Sequence, residues 1–251
     1  MVKKIATILA AASLMLCMSV PAMAAFADNM DLIRIVYNSA GTQEVYTDLG
    51  NINTILSNPS SLATASFITG QTGSAGAGTL DSGTLFGNTA LSNLNVAYIA
   101  FNTTNRLVTY TSGGDTAPQS IDNGQWFNQI GNFQGYLKGL TVTNGNAVGN
   151  AGNANSYTTI LNSNGIGLLG GLLDQSNEAN LATLASGGVV TQKLYYFADN
   201  STGSAVLQSI TLTTGSDGVS TAVNPTPIPP SFLLMGSGLL GMVGIRRKFA
   251  A

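Results

Sequence analysis

The chain has 251 residues, of which 8% are charged and 44% hydrophobic, and its formal net charge is −2. It contains no histidine and a single cysteine, Cys17; with Cys17 inside the leader described next, disulfides, Cys/His zinc sites, thiolate nucleophiles and Ser-His-Asp triads are excluded from the mature protein. Between Asp28 and Pro230 only Arg34, Arg106, Lys138 and Lys193 oppose all eleven acidic residues, so this stretch has no basic footprint for a phosphate backbone and argues against nucleic-acid binding.

Lys3 and Lys4 precede an apolar run from Ile5 to Val20, followed by Pro21-Ala22-Met23-Ala24-Ala25. A basic start, an apolar core and small residues at an A-x-A site make a secretory signal peptide over residues 1–24, a substrate for signal peptidase. The cut is expected after Ala24, with Ala25 or Ala27 as alternatives. The run is short for a retained membrane anchor.

Residues 25–223 read as one β-rich extracytoplasmic domain. In DLIRIVYN, Ile33, Ile35 and Tyr37 share a face, and in QEVYTDLG, Val45, Thr47 and Leu49 do; the turn-like Ser39-Ala40-Gly41-Thr42 joins them as a hairpin. LNVAYIAF, residues 94–101, is apolar on both faces and predicts a central buried strand, paired through Asn102–Asn105 with RLVTYT. KLYYFA at 193–198 and VLQSITLTT at 206–214 form a third pair. Strands with polar turns predict a mainly β fold, an antiparallel β-sandwich-like body with one or two short helices.

Trp126, Ile130, Phe133, Leu137 and Leu140 fall on one helical stripe, with Asp122 and Gln125 as a capping pair. Gly131, Gly135 and Gly139 oppose that helix by about 1 kcal/mol each. A weaker helix is predicted from Gln175 to Ala185. Thr69–Asn88 and Thr141–Ser156 are rich in Gly, Ser, Thr and Asn and read as long loops.

Paired carboxylates are the one catalytic apparatus this composition leaves, because a glycosidase needs two Asp or Glu residues flanking a bond. Asp174 and Glu178 lie four apart, but surface solvation beside a helix start is the favoured reading. Asp28 with Asp31, or Asp115 with Asp122, have the oxygens for Ca²⁺ but lack a dense acidic loop. Trp126, Phe127, Phe133 and Tyr136 are suited to stacking on sugar rings, although at helical spacing core packing is favoured. No catalytic residue, cofactor or metal ligand is therefore assigned.

The C-terminal segment, residues 224–251, begins with Pro225-Thr226-Pro227-Ile228-Pro229-Pro230-Ser231, a stiff stretch that helix and sheet both reject. An uncharged run over 231–245 follows, about 22 Å long as a helix against the roughly 30 Å hydrocarbon core; flanking residues and local thinning make up such a deficit. Arg246, Arg247 and Lys248 then form a cytoplasmic stop-transfer cluster. Gly236, Gly238, Gly241 and Gly244 give the predicted transmembrane helix small faces, for helix association or for opening by a membrane protease.

A proline motif, a short apolar helix and a terminal basic cluster, in that order, resemble the PEP-CTERM class of sorting signals. Pro227-Ile228-Pro229-Pro230-Ser231 followed by FLLMGSGLLGMVGIRRK is similar to its Pro-Leu-Pro-type variant, with Ile228 where the eponymous motif has Glu. The resemblance covers residues 225–248. It implies export across the inner membrane of a Gram-negative bacterium, transient anchoring there, and recognition by an exosortase-like membrane transpeptidase. It further implies delivery to the cell surface or biofilm matrix, in company with exopolysaccharide or sister copies. The expected function is that of a non-enzymatic surface or matrix protein. The alternatives are a carbohydrate-active enzyme using a carboxylate pair and an uncleaved, tail-anchored periplasmic protein.

Overall fold

The computed structural model describes residues 26–38, 40, 42–68, 85–87, 89–102, 109–114, 123–160, 178–197 and 206–224. The two predicted sorting segments, 1–24 and 224–251 apart from Asn224, lie outside these residues, as do Asp115, Asp122 and Asp174. Among the described residues no helix is long and apolar enough to cross a membrane.

The strands are β1 (Asp31–Asn38), β2 (Glu44–Asn51), β3 (Leu94–Phe101), β4 (Thr109–Gly113), β5 (Val142–Thr143), β6 (Asn146–Gly149), β7 (Ala179–Asn180), β8 (Val190–Phe197), β9 (Val206–Thr214) and β10 (Ser220–Val223). Helices α1 (Ile52–Ser57), α2 (Asn123–Lys138) and α3 (Tyr157–Ile160) accompany them, with short 3₁₀ turns at Pro59–Ser61, Leu91–Asn93 and Ala182–Ser186. The three expected hairpins form: β1 with β2, β3 with β4, and β8 with β9, all antiparallel.

The expected sandwich is corrected to one continuous antiparallel sheet in the order β10-β9-β8-β4-β3-β1-β2-β6-β5, with β7 against β3. It curls into a half-barrel. β1 and β10 are five strands apart in that order, yet Arg34 on β1 bonds Ser220 on β10 at 2.9 Å. Tyr98 on β3 reaches the same Ser220 hydroxyl at 2.7 Å. A right-handed twist accumulated over so many strands lets one sheet supply both walls of a core, so no second sheet is needed.

Residues 62–68 run across the open side. The Ala63 amide donates to Leu49 of β2 at 3.0 Å, and the Phe67 amide to Gly218, ahead of β10, at 3.2 Å. Gly218 has φ +73°, and a Cβ there would stand 2.5 Å from Ile68 Cγ1, so this crossing needs glycine.

Alternation then sorts two cores. Leu32, Val36, Val45, Leu49, Val96 and Tyr98 fill the concave side with Phe67 and Ile68. Ile33, Ile35, Tyr37, Tyr46, Ile99 and Phe101 face outward, beneath α2 and α3. Ile130, Phe133 and Leu137 of α2 are buried there, as the helical stripe predicts, and Leu140 packs alongside. Burying that stripe, at roughly 1.5–3 kcal/mol per large side chain, outweighs the glycine penalty. The side chains of Trp126 and Phe127 lie outside the described set.

Two expectations fail. Thr141–Ser156 is not a loop throughout: β5 and β6 form a hairpin in it, and β6 pairs with β2. The described part of Gln175–Ala185 is not an α-helix but β7 followed by a 3₁₀ turn. There Leu181 donates its amide to Leu94 of β3 instead of closing a helical turn.

Candidate functional site

The densest polar chemistry in the described residues is a carboxylate–tyrosine network between the β1–β2 hairpin, α3 and the start of β7. Tyr37 and Glu44 are direct cross-strand partners, so both point to the outward core, where Glu44 is wholly buried. Its Oε1 accepts from the Thr158 amide at 2.7 Å and the Thr158 hydroxyl at 2.5 Å. Its Oε2 accepts from the Tyr157 amide at 3.1 Å and from the Tyr46 hydroxyl. The carboxylate thereby satisfies amides that the first turn of α3 leaves without helical partners. Burial pushes the Glu44 carboxyl above its ordinary range, against the pull of these donors.

Tyr157 extends the network. Its hydroxyl donates to Glu178 Oε1 at 3.0 Å, and the Tyr37 hydroxyl donates to Oε2 of the same residue. The two rings lie 5.7 Å apart. Burial raises the Glu178 carboxyl as well, again opposed by its two phenol donors. Glu178 was expected at the surface beside Asp174. It is instead partly buried and bonded to β1 and α3, because the chain at 178–180 is extended against β3 and turns this side chain onto two tyrosines.

Beside it, α2 approaches β6 closely. A Cβ on Gly149 would lie 2.6 Å from the Tyr136 hydroxyl and 2.8 Å from Tyr46. Tyr136 both receives the Asn150 amide at 2.8 Å and donates to the Asn150 carbonyl at 3.2 Å. Phe133 is buried, with its ring 5.9 Å from Tyr46 and 6.2 Å from Phe101. Phe133 is thus core, and Tyr136 is committed to β6.

On the concave side lies a second polar centre. Arg34 is completely buried. Nη1 donates to the Gly218 carbonyl at 2.8 Å and to Ser220 Oγ at 2.9 Å; Nη2 donates to Thr47 Oγ1 at 2.9 Å and the Ala65 carbonyl at 2.8 Å. The guanidinium carbon stands 5.1 Å over the Phe67 ring, a cation–π contact. Burial lowers the Arg34 pKa to about 10, so it stays charged at neutral pH. The signal for it was a basic residue in the middle of DLIRIVYN, flanked by apolar residues on both faces.

A third centre lies where the chain enters β1. Asp31 and Asp48 approach one another, and burial first, then the Asp48 charge, pushes Asp31 up to about 7. Asp48 accepts from the Gly50 amide at 2.8 Å and the Ala27 amide at 3.3 Å. Asp28 caps Asp31 through its amide at 2.7 Å and pairs with Lys138 at 3.4 Å. Asp28 and Asp31 are therefore engaged with the chain itself. Among the described residues no group of three or more Asp, Glu, Cys or His is placed to hold a metal ion.

No protein-family model matches this chain, and comparison with curated proteins and with solved structures finds no similar protein.

Proposed function

We propose that the chain is an exported, non-enzymatic cell-surface or extracellular-matrix protein, delivered through a C-terminal sorting signal of the PEP-CTERM type. The observation that carries this reading is the order of three elements after β10: the proline motif Pro227–Ser231, the apolar run over 231–245, and Arg246-Arg247-Lys248. A leader at the opposite end supplies export. The apolar run holds the chain in the inner membrane with its basic end cytoplasmic, and an exosortase-like transpeptidase then acts near the prolines. The body passes to the surface or matrix, where exopolysaccharide or sister copies are its partners.

The use the body makes of its buried carboxylates, among the described residues, supports a scaffold. Both oxygens of Glu44, of Glu178 and of Asp48 accept hydrogen bonds from the chain itself. These groups tie strands and turns together. A glycosidase pair, by contrast, flanks a space for the sugar.

Expression in a host that possesses an exosortase tests the proposal. The full chain is expected in the membrane fraction first and then, shortened, outside it. A truncation ending at Asn224 is expected to bypass the membrane fraction. Replacing Pro227, Pro229 and Pro230 with alanine is expected to trap the uncut chain; normal processing of that variant sinks the sorting reading.

A further inference from the structure

The network around Tyr157 has a property that its role as a scaffold does not require. Among the described residues, Glu178 is held by two phenols, one from β1 and one from α3, and by no main-chain amide. Glu44, by contrast, has two amides of α3 fixed to it. Among the described residues the titratable groups facing Glu178 are Tyr37 from β1 and Tyr157 from α3. Glu44 and Tyr46 of β2 stand on the far side of Tyr157. Among the described residues the one ion pair is Lys138 with Asp28, which touches neither carboxylate. Tyr157 is thus bracketed by two carboxyl groups, one on its amide and one on its hydroxyl.

A largely buried carboxylate held only by neutral donors is costly to ionise. A phenol either donates to a carboxylate or accepts from a carboxylic acid. Protonation therefore removes the charge without breaking the geometry. We propose that Glu178 is a proton-operated latch: as the acid it ties the start of β7 and the helix α3 to β1, and as the carboxylate it weakens that tie. The proton passes between Glu178 and solvent, and no other bond changes. Its elevated carboxyl agrees with this direction. The sign follows: a folded pKa above the ordinary 4.5 gives a tie that is complete in acid and is lost as pH rises through the folded value.

Hydrogen exchange of the full-length chain between pH 4 and pH 9 tests this at the amides of Thr158–Ile160 and Asn180–Leu181. After correction for intrinsic exchange, protection is expected to be level below about pH 4.5, to fall by up to about tenfold per pH unit from there to the midpoint of the latch, and to be level again above it. Glu178→Gln keeps the hydrogen-bonding shape without the charge, and is expected to give a pH-independent profile at these amides. Asp31 and Asp48 remain in that variant, so any global slope they cause persists and is separable. An unchanged local slope in Glu178→Gln overturns the proposal. Should that variant not fold, direct carboxyl NMR titration of Glu178 in the unaltered chain decides the matter: a midpoint above 4.5 supports the latch, and one at or below it refutes it.

Discussion

Arg34 on β1 and Ser220 on β10 stand five strands apart along one sheet, yet the Arg34 guanidinium donates to the Ser220 hydroxyl at 2.9 Å. One side chain therefore measures how far the sheet has curled. It also holds the crossing segment, through Ala65, and β2, through Thr47. Its removal would leave two carbonyls and two hydroxyls buried beside a void.

Arg34→Ala is accordingly expected to destabilise the fold by about 3 kcal/mol or more. Urea unfolding, followed by far-UV circular dichroism, checks it. A loss below about 1 kcal/mol would mean that the crossing segment and Phe67 close the half-barrel without the arginine.

The outward core makes a different prediction, since its weakest point for truncation is apolar. Phe133 is wholly buried and meets both Tyr46 and Phe101. Phe133→Ala is expected to cost about 3–5 kcal/mol, whereas Phe133→Leu should cost much less. The comparison of the two midpoints separates lost packing from a general intolerance of α2 to substitution.

The anchorage of α3 is polar. Thr158 gives its amide and its hydroxyl to Glu44, and the hydroxyl also meets the Ala151 carbonyl at 3.0 Å. Thr158→Val keeps the shape and removes one donor from each acceptor, while Glu44 retains the residue 158 amide and the Ala151 carbonyl retains Ser156 and Thr159, for an expected loss of about 0.5–1.5 kcal/mol. Faster exchange at the Ile160 amide, which bonds the Ser156 carbonyl, should accompany it; an unaltered rate there would show that α3 is held by its apolar contacts.

Asp31 gives a pH dependence of defined sign. Its carboxyl moves from 3.8 in the ordinary state to about 7 in the fold, chiefly through burial and then through Asp48. A raised folded pKa contributes stability that is present below about pH 4 and is lost as pH climbs through about 7. The thermal midpoint is expected to decline over that window. Asp31→Asn should flatten the decline, and a midpoint that climbs with pH in the unaltered chain would contradict the assignment.

The strands that were legible in the sequence are those with an unbroken pattern. LNVAYIAF could only be a strand buried on both faces, and it is β3; VLQSITLTT coincides with β9. The β5–β6 hairpin was hidden by composition, although Asn144-Gly145 between two short runs is a recognised hairpin signal. There Asn144 has φ 52° and Gly145 φ 78°, the left-handed pair such a turn requires. Single against double sheet was not legible, because local alternation is the same in both.

The polar centres were hidden for another reason. Tyr37 meets Glu178 across 141 positions, and Arg34 meets Ser220 across 186. A carboxylate in a polar stretch such as Asn177-Glu178-Ala179-Asn180 looks solvated until the fold puts two tyrosines beside it. The proposed sorting segments are read in the opposite way. Their chemistry is local, with leader, prolines, apolar run and basic cluster each read from adjacent residues.

The central claim, export followed by C-terminal sorting, is tested most directly by the intact mass of the protein recovered from the surface of cells that make it. The account predicts a chain that begins just after the Ala24–Ala27 region and ends at or near the Pro227–Pro230 cluster. A recovered chain that still carries Arg246-Arg247-Lys248 would contradict it and leave a simple membrane anchor.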